Sequence, residues 1–399
     1  MKPWLRSIRV KNFKAIVDSR TVTFGKLTVF VGYNGSGKSS IVEALETYQQ
    51  TLMHGYQTAL RQWGGFRHAC NKSATGSRIR RRIELLPSFG DDARTAMRHE
   101  LAIGSDADGQ IVDMHAERIR LPRGVMTERS QIAAAYRGGE DRSWFFDLPN
   151  DYKDALQQVW GWQFLSMNAD KMGQPTPLHQ LPTRVRLQRD GVNIAEVMRD
   201  IRKVDVHAYD GIIDAMRYVL PYATDLEPRI SSDGSLQTTL ELRETGGSNV
   251  PGWMLSTGTL RVLALLALLR HPTPPPLIVV EELENGLDPR CIHLLVEEIR
   301  NATNEGHTQV IVTTHSPYLL DLLHIDHIVL VERGDDGGAV FRRPADSAVV
   351  QQWAKDYAPG RLYTMSVLEK RYWHAALASW LSVGLRARTN SFAASFAEP

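Results

Sequence analysis

Only two cysteines occur in 399 residues, Cys70 and Cys291, and they lie far apart. Neither a disulfide framework nor a cysteine-based zinc site can be built from them, and a reducing compartment is the expected setting. Charge of one sign is missing too: 47 Lys+Arg against 45 Asp+Glu leave a net charge of +2. No global basic field exists to hold nucleic acid, so a DNA contact must come from a local patch. Long apolar runs are also lacking. The longest, residues 262–269, is too short to span a bilayer. The opening text MKPWLRSIRVKNFKAI has no uninterrupted apolar segment of the kind a signal peptide needs. The chain is therefore expected to be cytoplasmic, with no membrane partner. No H-E-x-x-H, G-x-S-x-G or clustered Cys/His text offers another chemistry, and no internal repeat occurs.

What is present is ordinary globular composition, 43% hydrophobic and 23% charged, which sets disordered and low-complexity classes aside. The length suits two or three domains, or one large α/β domain with insertions. Residues 5–10 and 22–24 alternate as strands, and 27–31 is a continuous apolar run before a glycine-rich loop and a helical pattern from 39 to about 52. Residues 98–103 and 111–121 read as a hairpin, 144–148 and 160–167 as strands, and 193–220 as a helix with a possible break. A second hairpin is expected over 230–242, around Asp233-Gly234. After Gly258 strands and helices alternate: strand 277–280, helix, strand 310–313, helix, strand 328–332. That order indicates a parallel sheet with crossover helices.

Gly32-Tyr33-Asn34-Gly35-Ser36-Gly37-Lys38-Ser39 fits G-x-x-x-x-G-K-[ST] without a mismatch, between a buried strand and a helix. The glycines let successive N–H groups face one anion, and the helix N-terminus adds its dipole. Lys38 can reach β- and γ-phosphates and Ser39 can offer a hydroxyl to Mg²⁺. The apolar run 277–280 ends in Glu281-Glu282. Alone it could be a buried strand entering an acidic turn. Downstream of a phosphate loop it reads as one carboxylate that supports Mg²⁺ and one that polarises the attacking water. The strand 310–313 runs into Thr314-His315, at the edge where open α/β sheets bind ligands. His315 is either a structural strand-end histidine or a γ-phosphate sensor. Ser256 and Gly258 open an apolar helix. They either cap it or bind the γ-phosphate of a neighbouring subunit, since the chain already has its own cradle. The arginines 78, 80, 81 and 82 are either a solvated face or a phosphate contact, and Trp160 and Trp162 are read as core.

The order of these motifs resembles the ABC-type ATPase heads of the SMC/RecF/OLD group, and most narrowly RecF-like bacterial ATPases. The matching text is Asn12-Phe13-Lys14-Ala15, then 32–39, 255–261, 281–289 and 313–317. The resemblance covers about residues 1–335. It implies an α/β P-loop NTPase fold, with a mostly parallel core sheet, an antiparallel β subdomain and helical insertions, and ATP with Mg²⁺ as cofactors. It carries the phosphate loop onto Asn34, Gly35, Ser36, Gly37, Lys38, Ser39 and Ser40, the signature onto Ser256 and Gly258, and the metal carboxylate onto Glu281. Glu282 and His315 match the catalytic carboxylate and the switch histidine. The family's glutamine loop falls on Asn168, a third metal-site candidate, with Gln174 second. Three positions depart from the pattern: Thr257 in the signature, Leu283 for proline, and Asp288 for histidine.

Lys38 and Ser256 are 218 residues apart, yet no sustained heptads lie between them, which argues against an SMC coiled-coil arm. Only 84 residues follow His315, too few for the appended nuclease domain of OLD proteins. Glu332-Arg333-Gly334-Asp335-Asp336 reads as a strand and turn, though Glu-x-x-Asp-Asp could mimic a metal site. The expected division is 1–54 (lobe with the phosphate loop), 55–187 (mixed insertion), 188–254 (helices and hairpin), 255–345 (lobe with signature and carboxylates) and 346–399 (helical tail). The resemblance implies head-to-tail dimers or higher homo-oligomers around ATP that gate a separately encoded nuclease or toxin, in phage defence or DNA repair. An ATP-gated scaffold with little turnover is the alternative. A transporter's nucleotide-binding subunit is disfavoured by the long spacing before the signature.

Overall fold

The protein is described by a computed structural model covering residues 4–72, 82–94, 96–105, 112–120, 126–130, 157–168, 170–178, 185–231 and 236–368. The expected strand 144–148, arginines 78, 80 and 81, both expected hairpin turns and the tail beyond 368 lie outside the described residues.

A six-stranded sheet is ordered β17-β16-β4-β15-β14-β9. Its strands are β4 (Leu27–Val31), β9 (Gln163–Leu165), β14 (Leu277–Val280), β15 (Gln309–Thr314), β16 (Ile328–Arg333) and β17 (Ala339–Arg342). All neighbours run parallel except the edge strand β17. The central strands read as unbroken apolar runs because both of their faces are covered. Alternate side chains enter two separate cores. Val29, Val31, Ile278, Val280, Val310 and Val312 face one, and Phe30, Leu277, Val279, Ile311 and Val329 the other.

The first core is closed by helices and a small sheet. The helices α4 (Ile194–Val204), α5 (Val206–Val219), α6 (Thr257–Leu269), α7 (Pro289–Asn304) and α8 (Pro317–Asp321) contribute to it. The sheet contains β10 (Thr176–Pro177), β11 (Ala223–Ile230), β12 (Gln237–Glu244) and β13 (Asn249–Pro251). The second core is closed by α1 (Lys38–His54), the short helices α2 (Tyr56–Arg61) and α3 (Phe66–Ala69), and a seven-stranded antiparallel sheet. That sheet is ordered β2-β1-β5-β6-β7-β8, with β3 also on β1. Its strands are β1 (Leu5–Phe13), β2 (Ile16–Asp18), β3 (Val22–Thr23), β5 (Arg82–Phe89), β6 (Met97–Ser105), β7 (Val112–Arg120) and β8 (Met126–Ser130).

Several elements differ from the sequence reading. The strand expected over 160–167 shrinks to β9, which among the described residues is an edge strand paired with β14 alone. The expected 193–220 helix divides at Asp205, whose carboxylate accepts from the N–H groups of His207 and Ala208 and so starts α5 afresh. The second hairpin begins earlier, at Ala223; Pro228 is tolerated there because β11 lies at a sheet edge. The sequence segments also interleave in space. β1–β3 share a sheet with β5–β8, and β9 joins the parallel sheet, so 55–187 is not a separate body. Trp162 is core, its ring 6.1 Å from Tyr48 and 6.3 Å from Phe89.

A buried polar chain joins α1 to the antiparallel sheet. The Tyr48 hydroxyl lies 2.7 Å from His99 Nδ1, and His99 Nε2 lies 3.0 Å from Glu117 Oε1. Burial and the nearby Glu117 carboxylate push the Tyr48 phenol well above its ordinary range, so the hydroxyl stays protonated. Tyr48→Phe removes this hydroxyl and leaves a buried imidazole nitrogen without its partner. We expect a loss of about 1–3 kcal/mol, read as a lower urea midpoint of unfolding; an unchanged midpoint would show the contact to be energetically neutral.

Candidate nucleotide-binding site

Strand order alone brings the phosphate loop and four other sequence candidates to one edge. β4 delivers the phosphate loop at its carboxyl end, β15 delivers His315 beside it, β14 delivers Glu281 and Glu282, and β9 leads to Asn168. The register is fixed by pairs such as Thr314↔Val31 and Val280↔Val312.

The loop turns into α1 at Gly37, which has φ 112° at the N-cap; a Cβ there would lie 2.5 Å from that of Ala339. Lys38 Nζ donates to the carbonyl oxygens of Gly32 (2.6 Å) and Tyr33 (3.1 Å). Burial lowers its pKa, opposed by the carboxylates of Glu282 and Glu284. Ser36 Oγ is buried in the loop without a hydrogen-bond partner. Asn34, Gly35 and Ser39 are exposed, and the Ser40 hydroxyl accepts from Ala15 N–H at 3.3 Å. From the far side Arg333 braces the loop, its Nε donating to Gly35 O at 2.8 Å.

Glu282 adopts φ +49°, an uncommon conformation for a non-glycine residue that often marks functional sites. Four contacts hold it: its N–H donates to Thr313 Oγ1 (2.9 Å), its carbonyl accepts from Arg261 Nη2 (3.2 Å) and Asn285 N–H (3.1 Å), and its carboxylate accepts from Asn285 Nδ2. The exposed His315 is tethered by Glu284. The His315 N–H donates to Glu284 Oε1 at 2.8 Å, and its Nδ1 lies 3.2 Å from the same oxygen. Glu284 Oε2 is buried without a partner. Glu281 Oε1 accepts from Arg189 Nη2 at 2.9 Å, and Arg189 Nη1 lies 2.8 Å from Glu46 Oε2 on α1.

The remaining candidates sit as follows. Asn168 is exposed, and its Oδ1 accepts from Asp170 N–H at 3.2 Å, which leaves that oxygen a second lone pair. Gln174 is exposed. Ser256 is the N-cap of α6, its Oγ accepting from Thr259 N–H at 3.1 Å. Gly258 packs against the loop after β14, where a Cβ would come within 2.6 Å of Gly286 O. Ser256 and Thr257 remain exposed. The Glu332–Asp336 segment makes no cation site: Glu332 pairs with Arg342 at 3.4 Å, and Asp336 accepts from Gly338 N–H within its own turn. Among the described residues no three His, Cys, Asp or Glu side chains form a metal cage. Mg²⁺ suits such a site, because it keeps waters and shares one or two protein ligands with substrate phosphates.

The unpartnered Ser36 hydroxyl, the Lys38 ammonium folded into its own loop and the α1 N-terminus fit a polyphosphate. Ser39 and Glu281 are of the right chemistry for its Mg²⁺. Sequence reasoning missed Arg189, Glu284 and Arg333. Arg261 entered only as the last letter of a motif. Glu284 stands inside the 281–289 text, but no spacing announces any of these pairings; each is made by a fold that crosses 21 or more positions of sequence.

Two family models match the chain: one described as "AAA domain, putative AbiEii toxin, Type IV TA system" over residues 129–321, and one described as "AAA ATPase domain" over residues 1–68. An "ATP/GTP phosphatase" of Helicobacter pylori is 22% identical over 343 residues, covering 80% of this chain and 87% of that protein. An Smc head solved bound to the C-winged helix domain of ScpA superposes with a TM-score of 0.54 at 15% identity, over 85% of this chain and 97% of that one. An Smc head domain with an extended coiled coil, bound to the C-terminal domain of ScpA derived from Pyrococcus furiosus, gives 0.52 at 13% identity, over 89% of this chain and all of that one. With these matches the chain carries AAA-type ATPase domain sequence over residues 1–68 and 129–321 on the fold of an Smc head.

Proposed function

We propose that the protein binds and hydrolyses ATP, that two copies close head-to-tail over two ATP molecules, and that this closure gates a separately encoded effector in phage defence or DNA repair. The observation that carries the reading is the convergence of Lys38, Glu281, Glu282 and His315 on one sheet edge. The exposed start of α6 lies on the same side, packed against its own chain's 286 loop. A cytoplasmic setting fits Cys70 and Cys291, both buried and neither in a disulfide among the described residues.

In this reading Lys38 exchanges its loop carbonyls for β- and γ-phosphate oxygens, and Ser36 donates its hydroxyl. Ser39 and Glu281 hold Mg²⁺, which when bound offsets phosphate charge. Glu282 orients the attacking water. His315, set by Glu284, reports whether a γ-phosphate is there. Asn168 is kept as a third contact to the cation. Ser256 and Gly258 face the partner's γ-phosphate, so ATP closes the dimer and hydrolysis releases it. A latch with little turnover is the second reading. It is favoured by Asp288, whose carboxylate caps α7 through the N–H groups of Arg290 and Cys291 and is thereby occupied within its own chain.

Lys38→Ala should weaken ATP binding by roughly 100-fold or more, since charge-assisted bonds worth about 1.5–3 kcal/mol each are lost. Undiminished binding by calorimetry would sink the phosphate-loop assignment. Glu282→Gln should bind ATP normally, hydrolyse it about 10²–10⁴-fold more slowly and accumulate as ATP-bound dimers. Normal turnover in that variant would remove Glu282 from the chemistry. Ser256→Arg should still bind ATP yet fail to close. Mixed with Lys38→Ala it should recover part of the ATPase rate, because one composite site is then intact. Full activity of Ser256→Arg by itself would rule out the sandwich.

A further inference from the structure

Glu281 stands at the end of β14, with one more rotatable bond than an aspartate would have in the same place. A carboxylate on a longer arm loses more freedom when it is fixed for a cation. The structure fixes it in advance. Arg189 Nη2 donates to Glu281 Oε1 at 2.9 Å, while Nη1 lies 2.8 Å and 3.1 Å from the two carboxylate oxygens of Glu46. Glu281 Oε2 has no hydrogen-bond partner among the described residues. Glu46 is buried on α1, seven residues beyond Ser39 and therefore on the same helix face. One planar guanidinium thus spans the helix that begins in the phosphate loop and the strand that carries the acidic pair, a two-armed grip that an ammonium cannot reproduce.

The grip is itself held. Arg189 O accepts from Ser166 N–H at 2.9 Å and Asp190 O from Asn168 N–H at 3.0 Å, tying the segment to the residues just after β9. Asn193, buried at the start of α4, accepts from Gln188 N–H and donates to Arg186 O, both at 2.8 Å. The backbone on either side of Arg189 is therefore set before any ligand arrives.

We propose that Arg189 is a positioning residue for Mg²⁺–nucleotide binding: it clamps Glu281 against Glu46 so that the second carboxylate oxygen is aimed at the cation's water shell. This rests on the phosphate-loop reading above. In this proposal Arg189 acts through Glu281 and not on phosphate or metal. Removing the residue that orients a ligating carboxylate usually weakens metal affinity about 10–100-fold.

The test uses the full chain and a fluorescent ATP analogue, with binding measured in EDTA and across a Mg²⁺ titration at fixed nucleotide. Arg189→Ala should raise the Mg²⁺ concentration at half-maximal binding by about 10–100-fold and leave affinity in EDTA unchanged. Arg189→Lys, able to hold one carboxylate at a time, should fall between it and the wild type. Glu46→Gln, which weakens the far end of the clamp, should shift the Mg²⁺ midpoint in the same direction by less. Thermal unfolding identifies any variant that fails to fold, and the milder two then decide. An unchanged Mg²⁺ midpoint in the folded variants overturns the clamp. So does an equal loss in EDTA, which would mean that Arg189 contacts phosphate directly. Lys38→Ala is the control: if it binds like the wild type under all conditions, the phosphate-loop reading fails instead.

Discussion

The candidate site hangs from the double burial of β4. Its five residues are covered on both faces and bonded laterally to β15 and β16, so the point where the chain leaves the sheet at Gly32 is fixed by packing on every side. A loop that must present several N–H groups to one anion needs such an anchor, because the cost of ordering it is then met by the core and not by the ligand. The same burial sets the position of the other groups. β15 is locked in register to β4 and β14 to β15, and their ends carry His315 and the acidic pair to the same edge.

Charge is the second constraint. Glu43, Glu46, Glu281, Glu282 and Glu284 crowd the approach to α1, against Lys14, Lys38, Arg189 and Arg261. Burial raises the Glu43 and Glu46 carboxyls, and it lowers Lys38 and Arg261, so each sign is disfavoured unless the other stays close. Lys14 answers Glu43 at 2.7 Å and also stands 3.5 Å over the Trp63 ring. A site so nearly balanced suits a ligand that arrives as an anion with its own cation, and it explains why a bare cluster of carboxylates is not the form it takes.

The likeness to Smc heads is one of fold. Between the phosphate-loop helix and α6, the described residues place β5–β8 on the antiparallel sheet, β9 on the parallel one, and α4–α5 with the small sheet over the first core. The interval is thus spent on packing both faces of the ATPase fold.

The phosphate loop, the acidic pair after 277–280 and the parallel order of the last strands were legible in the residues themselves, because each depends on local chemistry: glycine φ freedom, apolar periodicity and a helix start. Trp162 as core and the hairpin of β6 and β7 followed from the same kind of signal. Asn168 follows the expected strand end, and its side-chain oxygen also accepts a bond from the turn two residues on, a contact no pattern announced. What no pattern announced were the partners. Arg189 meets Glu46 across 143 positions and Glu281 across 92, and Arg333 meets Gly35 across 298. Those pairings carry no spacing rule, since they exist only once the two cores have packed around the central sheet. The sequence by itself therefore determined which groups could touch a phosphate. The tertiary structure decided which charged side chains hold those groups in place, because buried charges must find a partner wherever the fold sets one within reach.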